Sequence, residues 1–207
     1  MKHLPLLTAL ALAPAAALAQ VPDISQVLSA VQVELDDTYI GQERAVLVQA
    51  DDAGADLYIF AGVPDDRAGE LILHVPDLVF SGQMAGQTPW LEQAENGSLL
   101  LHAEQIGIGR TFWERTLTIA QRDGAIVVAG STYSSLDRLS ASTIDCGWNL
   151  LTGKWVLDWS DQNPDTGESR DGSDSGVDKQ HITLAEMGGQ NNDSLFKHCQ
   201  HKNTLMD

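Results

Sequence analysis

Between Arg44 and Trp159 the sequence is a succession of short β-rich runs, and this punctuation constrains the fold more than any other feature. "RAVLVQA", "ADLYIFAG", "ELILHV", "SLLLHAEQ", "RTLTIAQ", "AIVVAGSTY", "IDCGWNLL" and "KWVLDW" are rich in β-branched or aromatic residues and bounded by Gly, Pro, Asn or Asp. No helical pattern alternates with them, which excludes βαβ units and the nucleotide-binding folds built on them. Asn96-Gly97 and Asp123-Gly124 tolerate the positive φ angles of type I′ hairpin turns; Ala53-Gly54 and Thr152-Gly153 are weaker versions. A two-residue loop at Asp123-Gly124 sets Ile119 opposite Val128 and Leu117 opposite Gly130, with Leu117, Ile119, Ile126 and Val128 on one face. The expected architecture is therefore a mainly β antiparallel meander, either a curled sheet or barrel-like. One N-terminal helix is expected at residues 24–33. There Asp23 caps, Gln26 completes an Asp-x-x-Gln box, and Ile24, Val27, Leu28 and Val31 recur at helical spacing.

Residues 1–19 read as an export signal. Lys2 supplies the positive start, Leu4 to Leu12 the apolar core, and Ala17-Leu18-Ala19 the small-residue cleavage site. Residues 20–207 then form a single mainly β domain in the periplasm or outside the cell. No later stretch approaches the length of a membrane-spanning helix. Lys and Arg number 12 against 29 Asp and Glu, for a formal net charge of −17. That balance excludes nucleic acid as a partner and favours a basic protein or peptide. In an oxidising compartment the two cysteines, Cys146 and Cys199, are expected to pair. The loop they close is worth roughly 4 kcal/mol in the chain-entropy account.

The stretch 160–178 carries Asp161, Asp165, Asp171, Asp174, Asp178 and Glu168 with Arg170 as the one opposing charge, and it is expected to be an acidic loop. Asp161, Asn163 and Asp165 have the i, i+2, i+4 spacing of a calcium loop. However, Thr166 and Gly172 stand where such a loop places Gly and Glu, and Pro164 interrupts the ligands. No resident cofactor is expected, and calcium remains a candidate here and at the turn 36–41. Trp155, Leu157 and Trp159 share one face of an extended strand, as core or as a platform for sugar rings. His198, Cys199 and His201 have the composition of a metal site but lack further ligands, and a paired Cys199 would not serve. Ser194-Leu-Phe-Lys197 matches a Ser-x-x-Lys string without the companion motifs of that chemistry. No nucleophile elbow, zinc-protease motif or phosphate loop is present, so no catalytic residue is assigned.

The run "FWERTLTIAQRDGAIVVAGSTY" followed by "CGWNLLTGKW" resembles a group of uncharacterised secreted bacterial proteins, in which a W-x-x-T-L-T-I strand, a hairpin and an N-x-L-T-G-K turn come in this order. The segment Asp36-Asp37-Thr38-Tyr39-Ile40-Gly41 with the strands after it resembles a degenerate VCBS or FG-GAP repeat; Gly41 keeps the turn, and Thr38 and Ile40 replace alternating carboxylates. The resemblance implies a soluble bacterial, periplasmic domain and transfers no activity.

Together these features favour a non-enzymatic binding protein that acts through an acidic surface, in the manner of an inhibitor or immunity protein. A glycan or cell-wall binding module using Trp155 and Trp159 is the second reading, and a hydrolase with an unrecognised site the third.

Overall fold

The computed structural model describes residues 26–36, 41–50, 53–64, 68–82, 84–189, 193–203 and 205. They form β1 (Val27–Val33), β2 (Glu43–Gln49), β3 (Gly54–Gly62), β4 (Ala68–Phe80), β5 (Trp90–Gln93), β6 (Leu99–Gln105), β7 (Thr111–Arg122), β8 (Ala125–Asp137), β9 (Thr143–Asn149), β10 (Lys154–Gln162) and β11 (Ser169–Val177), then the 3-10 segments Leu184–Met187 and Asp193–Cys199. The strands make two antiparallel sheets, ordered β1-β2-β3-β4 and β11-β10-β9-β8-β7-β6-β5. Spatial order follows chain order throughout, so each sheet is a meander of hairpins, and neither closes into a barrel. Each of the eight expected runs falls on a strand, with Ala50, Ser98, Leu150 and Leu151 just beyond the strand ends.

Local chemistry sets the pairing. Asp123 (φ 53°) and Gly124 (φ 79°) both sit at positive φ, joining β7 to β8 by the expected two-residue loop. Ile119 faces Val128 as that loop requires, but a bulge between Thr118 and Ile119 shifts the ladder so that Leu117 faces Ser131 rather than Gly130. Past the bulge, alternation turns Leu117, Arg115 and Trp113 of β7 to one face and Thr116 and Glu114 to the other. The inner faces of both sheets share one hydrophobic cluster, from Leu47, Leu57, Ile59 and Leu78 to Leu99, Leu101, Ile119 and Leu157. Phe80 of β4 meets Trp113 of β7 with ring centres 6.4 Å apart. At the start of β2, buried Glu43 accepts backbone N–H bonds from Leu35 and Asp36, closing the end of β1. Burial pushes its carboxyl pKa up, and the backbone N–H groups oppose that shift.

Two expectations change. Residues 27–33 of the expected helix form edge strand β1, paired with β2 from Val27↔Val48 to Val33↔Glu43; residues 24 and 25 lie outside the described residues. Val27, Val31 and Val33 suit a strand, and pairing with β2 outweighs the helical spacing. The acidic stretch 160–178 is a hairpin rather than a loop. β10 and β11 pair without interruption from Lys154↔Val177 to Gln162↔Ser169, leaving only residues 163–168 as the tip. β11 has no large apolar residue except Val177, but as an edge strand it needs none, and its charges discourage edge-to-edge association.

After β11 the chain returns over the inner face of the larger sheet. Val128 N–H bonds Ile182 O, and Ser131 Oγ donates to Leu195 O at 2.8 Å. Leu184, Met187, Leu195, Phe196 and Cys199 are buried, and Cys199 is joined to Cys146 of β9 by a disulfide with Cα atoms 5.4 Å apart.

Candidate functional site

The most heavily constructed part of the inner face is where the C-terminal segment meets β10 and β11. Trp155 stands opposite Gly176, and Trp159 opposite Gly172. A methyl at Gly172 would lie 2.1 Å from Trp159 Cζ2, and one at Gly176 2.8 Å from Trp155 Cε2. The indoles therefore occupy the space that side chains on β11 would fill. His198 stacks on Trp155 at 4.5 Å and His201 on Trp159 at 4.2 Å. His198 Nε2 is 3.1 Å from Asp178 Oδ2, and His201 Nε2 is 2.8 Å from Asp161 Oδ1. Each aromatic pair is thus completed by a carboxylate.

This arrangement places the sequence candidates. Asp161 is buried against His201, while Asn163 Oδ1 accepts the N–H groups of Asp165 and Thr166 and its Nδ2 donates to Leu205 O. The calcium-like trio is divided between the core and the turn. Asp171 faces outward beside Ser160, whereas Asp174 faces inward beside Leu157, so these two do not converge. His198 and His201 sit on different indoles, and Cys199 between them is disulfide-bonded. Among the described residues no three His, Cys, Asp or Glu side chains come together to hold a metal. Residues 37–40 of the turn 36–41 lie outside the described residues; Asp36 Oδ2 accepts from Gln121 Nε2 at 2.7 Å. Lys197 of the Ser-x-x-Lys string has its Nζ 2.5 Å from Asp178 Oδ2.

The Lys197 ammonium, the Gln180 amide and His198 hold the Asp178 carboxyl at about 2, below the ordinary value of 3.8. A depressed folded-state pKa stabilises the fold above the unfolded value, and that contribution fades as pH falls from about 4 towards about 2. Urea midpoints of the native protein and of Asp178→Asn are expected to differ at pH 6 and to converge between pH 4 and pH 2. A gap that stays constant over that window would remove the Asp178 latch from the account.

One cluster on the outer face has the order of a nucleophile, a base and an orienting acid. Thr116 Oγ1 lies 3.0 Å from His102 Nδ1, and His102 Nε2 lies 3.5 Å from Glu92 Oε2. Burial pushes the His102 pKa down. Yet 3.5 Å is a loose contact, and Thr116 is flanked on both sides by paired strands, whose ladders consume the backbone N–H groups an oxyanion would need. The geometry supports a packed surface pair, with Trp90 stacked on His102 at 4.7 Å, better than it supports acyl transfer.

The outer face carries a different pattern. Glu104, Glu114, Ser134, Asp145, Asp158 and Ser173 form one row across β6 to β11, each facing the next in register. Two of these pairs, Glu104↔Glu114 and Asp145↔Asp158, set like charges directly opposite each other. None of the four carboxylates has an ion pair among the described residues. Beside the row a groove of about 360 Å³ runs past Thr116, Thr132, Gly147 and Val156. Gly147 is its floor, and a methyl there would meet nothing within 4 Å.

Period-2 alternation in the sequence already turns Glu114, Asp145 and Asp158 outward, but only the register joins them into a row. No family model, characterised protein or solved structure matches this chain.

Proposed function

We propose that this is an exported, non-enzymatic binding protein that takes a basic segment of a partner protein on the outer face of its seven-stranded sheet, as an inhibitor or immunity-like protein would. The observation that carries the reading is the pair of like-charge contacts, Glu104↔Glu114 and Asp145↔Asp158, in one unneutralised row beside a groove. Directly opposed like charges cost a sheet about 0.2–1 kcal/mol per pair. A Lys or Arg laid over Gly147 relieves that repulsion, and the net charge of −17 steers a basic partner towards the face. The leader-like residues 1–19 and the Cys146–Cys199 disulfide are consistent with a periplasmic or secreted setting.

The glycan reading has less support, because Trp155 and Trp159 are each stacked by a histidine and backed by a glycine. Sugar stacking there would first require displacing the C-terminal segment.

A lysine-rich peptide titrated into the protein at low and high salt tests the proposal. Affinity is expected to fall steeply with salt, and to drop tenfold or more in the triple variant E114Q/D145N/D158N, as loss of charge-assisted contacts implies. The same variant is expected to melt at or above the temperature of the parent, since it removes repulsion. Binding indifferent to salt, or undiminished in the triple variant, would exclude this face.

A further inference from the structure

The alternation of β7 places the Arg115 guanidinium on the inner face, between Trp113 and Leu117 and opposite Tyr133 and Ala103. Its Cζ lies 5.0 Å from the Trp113 ring centre, 5.6 Å from that of Tyr133 and 4.6 Å from that of Phe196. The faces of these rings attract the cation. Its only ion pair among the described residues is a 3.5 Å contact from Nη1 to Asp193, whose side chain is 91% exposed. Arg115 Nε is buried and has no hydrogen-bond partner among the described residues. A buried, unpaired donor on a charged group is costly, and a native fold retains one where something else uses it.

Arg115 lines a cavity of about 140 Å³ between the two sheets; Asp193 also lines it, and the other walls are apolar, among them Phe80, Leu101, Ala103, Trp113 and Phe196. An apolar cavity of about 150 Å³ is large enough to hold benzene. Apart from Arg115 and the largely exposed Asp193 the walls are apolar, Arg115 Nε has no partner among the described residues, and the volume admits one ring.

We propose that this cavity binds a small monocarboxylate with an apolar body of about the size of benzene, the carboxylate bonding Arg115 in place of the loose contact to exposed Asp193 and the ring filling the space between Phe80, Leu101 and Phe196. Guanidinium and carboxylate pair through parallel N–H···O bonds, and the apolar surroundings strengthen that pairing. The site lies on the inner face, away from the acidic row, so it neither depends on nor supports the binding of a basic partner.

The test uses benzoate, with benzyl alcohol as its neutral counterpart, followed by calorimetry and by the NMR signal of the Arg115 Nε–H. Benzoate is expected to bind saturably and shift that signal, with benzyl alcohol at least tenfold weaker, as loss of a charge-assisted bond implies. Arg115→Gln is expected to reduce benzoate binding by a similar factor. Ala103→Leu, which leaves Arg115 in place and fills the cavity, is expected to abolish it without lowering the melting temperature. No saturable benzoate binding at millimolar concentration, equal binding of the alcohol, or undiminished binding in Ala103→Leu would each overturn the proposal. The alcohol comparison needs no variant, so it stands even if Arg115→Gln folds poorly.

Discussion

Replacing Cys146 and Cys199 together by serine is expected to lower stability by about 4 kcal/mol and the melting temperature by about 8–16 °C. The disulfide closes a loop with a sequence separation of 53 residues, and most of its effect comes from restricting the unfolded chain. A second, local consequence follows from where the bond sits. Cys199 lies between His198 and His201, so the bond fixes both imidazoles over Trp155 and Trp159 and holds Leu195 and Phe196 in the core. Without it, the C-terminal segment keeps only non-covalent ties, among them the His201–Asp161 and Asp178 contacts and the Ser131 bond to Leu195 O. The variant is therefore expected to show red-shifted tryptophan emission well below its melting temperature, as the indoles become wet. Thermal melts that superimpose with and without reductant would contradict this role for the bond.

Gly172→Ala is expected to destabilise the protein by about 3 kcal/mol, the upper end of what overpacking a well-filled site costs. The added methyl would stand 2.1 Å from Trp159 Cζ2 and 2.5 Å from Cε2, so the whole indole must move, and with it His201. Gly147→Ala is the control. It lies on the neighbouring part of the same sheet, faces open space, and is expected to change stability by no more than about 0.5 kcal/mol. If the clash is the cause, combining Gly172→Ala with Trp159→Leu recovers much of the loss, because the two residues share one contact. Chemical denaturation of the parent, Gly172→Ala, Trp159→Leu, their combination and Gly147→Ala measures both terms. Equal effects of the two glycine substitutions would mean that β11 does not depend on the indole.

This pairing explains what the sequence disclosed and what it hid. The eight central strands were legible because each buries one apolar face and ends at a turn residue, as Asp123-Gly124 illustrates. β11 was not legible, since an edge strand that lends its inner face to Trp155 and Trp159 carries glycines where apolar residues are usually expected. The signal was nevertheless present: Gly172 and Gly176 repeat the four-residue spacing of Trp159 and Trp155 across a short turn. In β1, Val27, Leu28 and Val31 satisfy the helical spacing locally, and only pairing with β2 distinguishes strand from helix. β5 is four residues long, too short for any periodicity to register. At the candidate sites, the disulfide followed from composition and compartment. The inward side of Arg115 follows from the same alternation as Leu117 and Ile119, but the acidic row depended on register and on the bulge opposite Thr118 and Ile119, which no local pattern reveals.

On the proposed function, the outer face of the large sheet, and not the acidic hairpin edge, receives a basic partner. Backbone amide NMR shifts, recorded while a lysine-rich peptide is added at low salt, test it most directly. The account predicts that perturbed amides cluster at Glu114, Thr132, Asp145, Gly147 and Asp158, that they return on adding salt, and that Gly147→Leu suppresses them by filling the groove floor. Perturbations confined to residues 163–178, or spread evenly over the acidic surface and insensitive to Gly147→Leu, would contradict it.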